Sequence, residues 1–314
     1  MNKIFGYFKK FNSYYYLLLA FICLTPWISP PIALFLGLAF ALTLGSPFPV
    51  FNKKASKYLL QLAVIGLGFG MNLHESLKAG TDGILFTIIS VVSVIIIGIL
   101  VGKFYKVDKV TSYLISSGTA ICGGSAIAAV GPIVRADESQ MSVSLATVFV
   151  LNAIALFIFP TIGQWLNLSQ IQFGTWAAIA IHDTSSVVGA GSAYGEEALK
   201  VATTVKLTRA LWIIPLSIFT TFYFKSKGDK LYIPWFILFF IIAMLLNTYL
   251  YIPTKITSSI VAVSRQCLTL TLFFIGAGLS RNTLKNVGSK PLLLGISLWI
   301  FTGLVSLAFI YTFY

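Results

Sequence analysis

The sequence predicts an all-α integral membrane protein, and three observations lead to this fold class. Its 314 residues are 57% hydrophobic and only 10% charged, which is too apolar for a chain that covers its own surface in water. Several stretches of about 18 to 22 nearly uncharged residues follow one another, roughly the length that crosses a 30 Å hydrocarbon core. These stretches are apolar on all sides and lack the period of two that a membrane β-barrel requires.

Eleven membrane helices are predicted, joined by short loops. The first, 14–28, follows a basic N-terminus as a signal peptide would, but it runs on to Pro30 and Pro31 without a clear small-x-small cleavage site, so we expect a retained span. The next three are predicted at 31–45, 57–71 and 83–102. The fifth, 112–133, carries paired glycines at its middle, and the sixth, 142–163, is an uninterrupted apolar run.

The second half of the chain supplies five further helices. The seventh, 173–190, is interrupted by a His-Asp pair, and the eighth, 199–224, carries two basic residues at membrane depth. The last three are predicted at 232–250, 257–280 and 290–313. Residues 1–314 are treated as one polytopic domain, with an extra N-terminal helix at about 14–28 before a ten-helix transporter core at about 31–313.

The distribution of Lys and Arg predicts the orientation. With a cytoplasmic N-terminus, fifteen basic residues fall in cytoplasmic segments, and only Lys78, Arg135 and Lys255 fall in the opposite loops. This bias predicts a multi-pass protein of the inner (plasma) membrane with its C-terminus outside. The net charge of +13 is dispersed over these loops, which argues against nucleic acid binding. The three cysteines lie in apolar runs without paired spacing, so neither a disulfide framework nor a metal site is predicted.

Two glycine-rich segments suggest an internal repeat. IGLGFGMNLHESLKAG (65–80) and IGAGLSRNTLKNVG (275–288) share a Gly-x-Gly and a downstream Asn, and the predicted topology gives them opposite orientations. Inverted repeats of this kind are typical of secondary transporters. The segments imply an offset of seven helices, whereas halving the ten-helix core implies five, and the sequence leaves both open.

The first candidate site is the break in the fifth span. Paired glycines weaken a helix, and the half-helix that resumes would point its positive N-terminus at the break. Small hydroxyls there can donate to an anion. The predicted substrate-binding residues are Thr119, Cys122, Gly123, Gly124 and Ser125; close packing of two continuous helices is the alternative.

The second candidate site is the break in the seventh span, with the hydroxyl residues Thr184, Ser185 and Ser186. Ionisable groups in lipid are costly and normally face a polar interior, so His182 and Asp183 are predicted to couple or gate transport. A structural His-Asp pair between helices is the alternative interpretation.

Basic residues form the third candidate site. Lys206 and Arg209 lie three residues apart on one helix face, where they can attract an anion or neutralise Asp183. Snorkelling to the interface is the alternative. Arg265, near the start of the tenth helix, is a further candidate for coupling or gating.

The motifs TAICGGSAIAAVGPIV, WAAIAIHDTSSVVGAGSAYG and ALKVATTVKLTRALWIIP resemble the sulfate exporter family of bacterial membrane proteins, and the resemblance extends from about Ala33 to the C-terminus. More distantly, GGSAIAAVGPIVRADESQMSVSLA is similar to the broken-helix region of bile acid and sodium symporter relatives. That resemblance implies a ten-helix core of two inverted five-helix repeats, divided into panel and core domains, and a homodimer by analogy with related folds.

These observations predict an alternating-access exporter or exchanger of a small anion. Hydroxyls, helix N-termini and basic groups suit an oxyanion such as sulfate, a sulfonate or a small carboxylate. No cofactor is expected beyond a coupling ion, sodium or proton. The alternative is a sodium or proton antiporter with Asp183 as the exchanging carboxylate. An enzyme is disfavoured because the sequence has neither an HExxH nor a G-x-S-x-G motif, and a channel or a receptor is less favoured than a transporter.

Overall fold

The computed structural model describes residues 2–25, 27–74, 84–224, 235–278 and 288–313. All regular secondary structure in these ranges is helical. The helices are α1 (Asn2–Ile22), α2 (Pro30–Thr43), α3 (Pro49–Gly68), α4 (Ile84–Phe104), α5 (Lys109–Ala120), α6 (Gly124–Ile133), α7 (Glu138–Trp165), α8 (Gln170–Ala180), α9 (Thr184–Tyr194), α10 (Glu196–Ala210), α11 (Ile213–Tyr223), α12 (Trp235–Tyr249), α13 (Thr254–Gly278) and α14 (Ser289–Phe313).

Five helical segments of the described chain are long and apolar enough to cross a membrane. They are Phe86–Phe104, Ser139–Trp165, Glu196–Tyr223, Thr254–Gly278 and Ser289–Phe313, and the third of these joins α10 and α11 across a turn at 211–212. Shorter apolar helices occur at Pro30–Thr43, Gly124–Ile133 and Trp235–Tyr249. The prediction of an all-α membrane protein is confirmed at this level.

The helices form two compact units. The first contains Met1–Leu73 and Phe236–Thr283, and the second contains His74–Trp235 and Leu284–Tyr314. In the first unit α2 and α13 cross with their backbones in direct contact, since a Cβ atom on Gly37 would meet the carbonyl oxygen of Phe273, and one on Gly276 would meet that of Leu34. Such small residues let membrane helices approach closely.

The crossing of α2 and α13 provides a matched pair of glycines. Gly276→Ala is expected to destabilise the protein by about 1–3 kcal/mol, because its methyl group would push against the backbone of α2. Gly278→Ala, two residues later on the same helix, has no atom within 4 Å of the added Cβ and should leave stability unchanged. Thermal unfolding in detergent measures both, and equal melting temperatures for the two variants would contradict the crossing.

The second unit contains two helical hairpins. Hairpin A is α5 and α6 (109–133), and its two ends lie together: Asp108, the N-cap of α5, accepts a hydrogen bond of 3.0 Å from Nε2 of Gln140 in the first turn of α7. Because α6 leads into α7 through only four residues, 134–137, it returns to the end from which α5 started. Hairpin A therefore enters and leaves on one side.

Hairpin B, α8 and α9 (170–194), has the same form. The Tyr194 hydroxyl donates to the Leu168 carbonyl at 2.6 Å, and its ring stacks on Phe173 with centroids 3.8 Å apart. The Gln170 side-chain oxygen accepts from the backbone N–H of Glu197 at 3.0 Å. The start of α8 thus lies beside the end of α9 and the start of α10.

The two hairpins enter from opposite ends of α7. This helix has 28 residues, or about 42 Å, and its start contacts hairpin A while its end leads into hairpin B. The tips of the hairpins meet near its middle: a Cβ atom on Gly123 would lie 3.1 Å from the Asp183 Cβ and 3.2 Å from the Val148 side chain. Each tip therefore lies near mid-depth of a membrane that α7 crosses.

This arrangement corrects the predicted topology. The segments 112–133 and 173–190 were predicted to cross the membrane as broken helices, whereas each folds back on itself at its break. A half-helix of 10 to 12 residues spans about 15 to 18 Å, half of the hydrocarbon core. Two half-helices that form a hairpin contain about as many residues as one helix that crosses the membrane. The length of the apolar segment therefore could not distinguish the two arrangements. Half of the predicted repeat, 75–80 and 279–287, lies outside the described residues.

Candidate functional site

Tip A, residues 121–123, is built around a glycine that the backbone requires. Gly123 has φ of +60°, a conformation that disfavours residues with a side chain, and it packs directly against tip B. It is also the N-cap of α6, and no side chain caps that helix. Tip A therefore presents the N-terminus of α6 without a capping group.

Tip B, residues 181–183, is capped by its own carboxylate. Oδ1 of Asp183 accepts a hydrogen bond of 2.7 Å from the Ser186 backbone N–H in the first turn of α9. The three hydroxyl residues of this turn, Thr184, Ser185 and Ser186, are all buried. The carboxylate thus stabilises the N-terminus of α9 by hydrogen bonding and by its charge.

The middle of α7 holds both tips. Asn152 accepts the His182 backbone N–H through Oδ1 at 3.0 Å, which supports tip B. One turn earlier, Val148 and Phe149 lie against the α-carbons of Gly123 and Gly124, since added Cβ atoms would approach them to 3.2 and 3.1 Å. A single crossing helix therefore fixes the depth at which the two tips meet.

Two buried cations on α10 cap the carbonyl ends of the broken helices. Lys206 donates to the carbonyls of Ala178 and Ile181, at 3.2 and 2.8 Å, at the end of α8. The side chains of Lys206 and of Arg209, the second cation, are fully buried. Their positive charges offset the negative ends of the two helix dipoles and satisfy terminal carbonyls that lack helical partners.

Arg209 performs the same task for hairpin A. Its Nη2 donates to the Ala120 carbonyl at 2.7 Å, at the end of α5, and its Nη1 donates to the Ser90 hydroxyl of α4 at 3.0 Å. One turn of α10 therefore supplies one cation to each hairpin. The site lies between the middle of α7 and the last turns of α10.

Several buried polar groups around the tips have no hydrogen-bond partner within the described chain. They are both ring nitrogens of His182, Nδ2 of Asn152, the hydroxyl of Thr119 and Nε of Arg209. Since the Asn152 oxygen accepts from a backbone N–H, its amide nitrogen is the free donor. Leaving such groups unpaired at depth is costly. Asn152 and Arg209 offer donors only, and a neutral His182 and Thr119 each offer one donor, so this set suits a ligand that brings acceptors.

The structure brings twelve of the thirteen predicted site residues to the two tips and the facing turn of α10. The thirteenth, Arg265, lies on α13 and belongs to the first unit. Lys206 and Arg209 were predicted to attract an anion or neutralise Asp183, and the structure shows that their first partners are helix-end carbonyls. Two residues that contribute to the site, Asn152 and Ser90, were not predicted from the sequence. Asn152 is an amide in an apolar span and could have indicated the site, whereas Ser90 is one of many serines in the apolar segments.

Comparisons with known proteins place this chain in a family. The family model described as "Conserved hypothetical protein 698" matches residues 15–295. The chain is 64% identical over 288 residues to a UPF0324 membrane protein of Bacteroides thetaiotaomicron, which covers 91% of this chain and 87% of the relative. It is 49% identical over 297 residues to a UPF0324 membrane protein of Vibrio parahaemolyticus, covering 92% and 94%.

No solved structure matches the chain. The relatives are named as membrane proteins, and these names carry no substrate. The helices of suitable length and composition agree with membrane embedding. On these matches, the chain belongs to the UPF0324 family of membrane proteins.

Proposed function

We propose that this protein is a secondary active transporter of a small anion, which binds where the tips of hairpins A and B meet. The observation that carries the proposal is the meeting of two hairpins, which enter from opposite ends of α7, beside the fully buried side chains of Lys206 and Arg209. Ionisable groups at this depth mark substrate or ion pathways in membrane proteins. Broken helices near the midplane are a common way of building transporter sites.

The electrostatics of the tips favour an anion. The N-termini of α6 and α9 point their partial positive charges at the meeting point, and Lys206 and Arg209 add two formal charges close to it. The unpaired donors of His182, Asn152 and Thr119 add hydrogen bonds. A carboxylate, sulfonate or sulfate group can accept several such bonds at once.

The hairpins also provide a route for alternating access. Because hairpin A enters from one face and hairpin B from the other, displacement of one tip opens the site to one side while the other tip closes it. The substrate moves without chemical change, so the mechanism needs no nucleophile or metal. Exporter and exchanger modes are both compatible with this cycle.

The hairpins strengthen the proposed orientation in the inner membrane. In the hairpin topology Arg135 lies on the same side as Lys109, because both ends of hairpin A lie together. Sixteen basic residues then lie in cytoplasmic segments, and only two, Lys78 and Lys255, lie in external loops. This supports a cytoplasmic N-terminus and an external C-terminus by the positive-inside rule.

A sodium or proton antiporter is the second candidate. The buried carboxylate of Asp183 is the observation that favours it, since acidic groups at membrane depth often exchange cations. The Asp183 carboxylate already accepts the Ser186 N–H and lies near the basic side chain of Lys206, which leaves less room for a metal cation. The two candidates differ in which ligand stabilises the protein.

Thermal unfolding of the purified protein tests the proposal. We expect at least one anion among sulfate, sulfite, taurine, small dicarboxylates and bicarbonate to raise the melting temperature, because a ligand that binds only the folded form stabilises it. Sodium chloride against choline chloride and a pH series test the antiporter. Proteoliposomes loaded with the stabilising anion should then show its counterflow.

Gly124→Leu provides the site control. A side chain at this position meets the Phe149 ring at 3.1 Å and fills the space beside tip A, so stabilisation by the anion should be lost. Gly303→Ala on α14 has no atom within 4 Å of its Cβ and should respond as the wild type does. Stabilisation by sodium or pH alone, with no response to any anion, would favour the antiporter.

A further inference from the structure

The two tips have related sequences and related structures. Residues 120–126, Ala-Ile-Cys-Gly-Gly-Ser-Ala, align without gaps with residues 180–186, Ala-Ile-His-Asp-Thr-Ser-Ser, at an offset of sixty. In both segments the first helix ends at the alanine and the second begins at the fifth residue. In both, a basic side chain of α10 donates to a carbonyl at the end of the first helix. The alignment therefore identifies equivalent positions in the two hairpins.

The equivalent N-cap positions differ in one chemical respect. At tip B the N-cap is Asp183, whose carboxylate accepts the Ser186 N–H at 2.7 Å. At tip A the equivalent residue is Gly123, and no side chain caps α6. The N-terminus of α9 is therefore capped by a carboxylate, whereas the equivalent N-terminus of α6 has no capping side chain.

The formal charges at the tips do not balance. Lys206 and Arg209 are fully buried, and Lys206 donates to two carbonyl oxygens while Arg209 donates to one. Asp183 is the one carboxylate at the two tips. With both basic groups protonated and Asp183 ionised, the cluster has a net charge of +1 at a depth where unpaired charge is costly.

We propose, as a deepening of the proposed anion transport, that the ligand is a monovalent oxyanion, a carboxylate or a sulfonate, bound at the N-terminus of α6. It takes there the position that the Asp183 carboxylate takes at α9. One negative charge makes the loaded site neutral, whereas a dianion such as sulfate makes it negative. The buried donors of His182, Asn152 and Thr119, which lack partners in the described chain, supply further hydrogen bonds.

The decisive comparison uses methanesulfonate and sulfate, which present similar tetrahedral oxyanion groups with one and two negative charges. Titrations at constant ionic strength and neutral pH, followed by thermal unfolding, give the affinity of each for the full chain. The wild type is expected to bind methanesulfonate at least about tenfold more tightly than sulfate. Acetate should behave like methanesulfonate.

Asp183→Asn tests the charge balance directly. The amide oxygen can still accept the Ser186 N–H, but the net charge at the tips becomes +2, so the preference should shift toward sulfate by at least about tenfold. Glu197→Gln removes a carboxylate at the exposed start of α10 and should leave the preference unchanged. If Asp183→Asn does not fold, the wild-type affinities for methanesulfonate and sulfate are sufficient to test the monovalent site.

The results separate this inference from the proposed function. A wild type that prefers sulfate, or a folded Asp183→Asn variant with the wild-type preference, would overturn the monovalent site but leave anion transport standing. If no anion stabilises the wild type, both fail. A wild-type preference for monovalent anions that reverses in Asp183→Asn supports both.

Discussion

Cysteines placed at the two ends of hairpin A are expected to react from the same face of the membrane. Lys109→Cys at the start of α5 and Ser139→Cys at the start of α7 are both exposed, and the hydrogen bond between Asp108 and Gln140 places these ends together. A membrane-impermeant maleimide applied to right-side-out and inverted vesicles should label both in the same preparation. Eleven crossing helices would instead put them on opposite faces.

Hairpin B gives the complementary result. Gln164→Cys near the end of α7 and Glu197→Cys at the start of α10 are also exposed, and both should be labelled from the face opposite to Lys109→Cys. With eleven crossings, Gln164→Cys would share a face with Lys109→Cys. The wild type is the background control, since its described cysteines Cys23 and Cys122 are buried and Cys267 is only partly exposed. Labelling of Lys109→Cys and Gln164→Cys from one face would refute the hairpins.

The composition and the positions of polar residues were sufficient to predict where the helices are interrupted, but not the path of the chain. Glycines and ionisable groups inside apolar runs mark places where a helix is interrupted, because lipid penalises them elsewhere. Both breaks, at 121–123 and 181–183, lie where the sequence predicted them. Whether a chain continues or turns back after a break depends on contacts such as Tyr194 with Leu168, which local sequence does not specify.

The pairing of the basic residues was also beyond the sequence. Spacing put Lys206 and Arg209 on one face of a helix, and depth suggested an anion or Asp183 as the partner. Both contact main-chain carbonyls, 25 and 89 residues away, which carry no side-chain signal, and Arg209 also contacts the Ser90 hydroxyl. Such contacts appear only when the ends of α5 and α8 come together beside α10.

Lys206→Met is expected to destabilise the protein and to abolish its response to anions. The carbonyls of Ala178 and Ile181 lose their donor at a buried helix end, which costs about 1–3 kcal/mol for each acceptor left unpaired. The substitution also removes the net positive charge at the tips, so an anion gains no neutralisation there. Thermal unfolding with and without methanesulfonate measures both effects.

Two further variants separate charge from hydrogen bonding. Lys200→Met lies on the same helix but is exposed, so it should match the wild type in stability and in anion response. Arg209→Lys keeps the charge but replaces the guanidinium fork that reaches both Ala120 and Ser90, so stability should fall while the anion response persists. If Lys206→Met kept the full anion response, the two cations would serve only to cap the hairpins. Anion binding would then depend only on the N-terminus of α6 and the unpaired donors. In Lys206→Met the charges of Arg209 and Asp183 cancel, so the variant has no net positive charge to attract the anion.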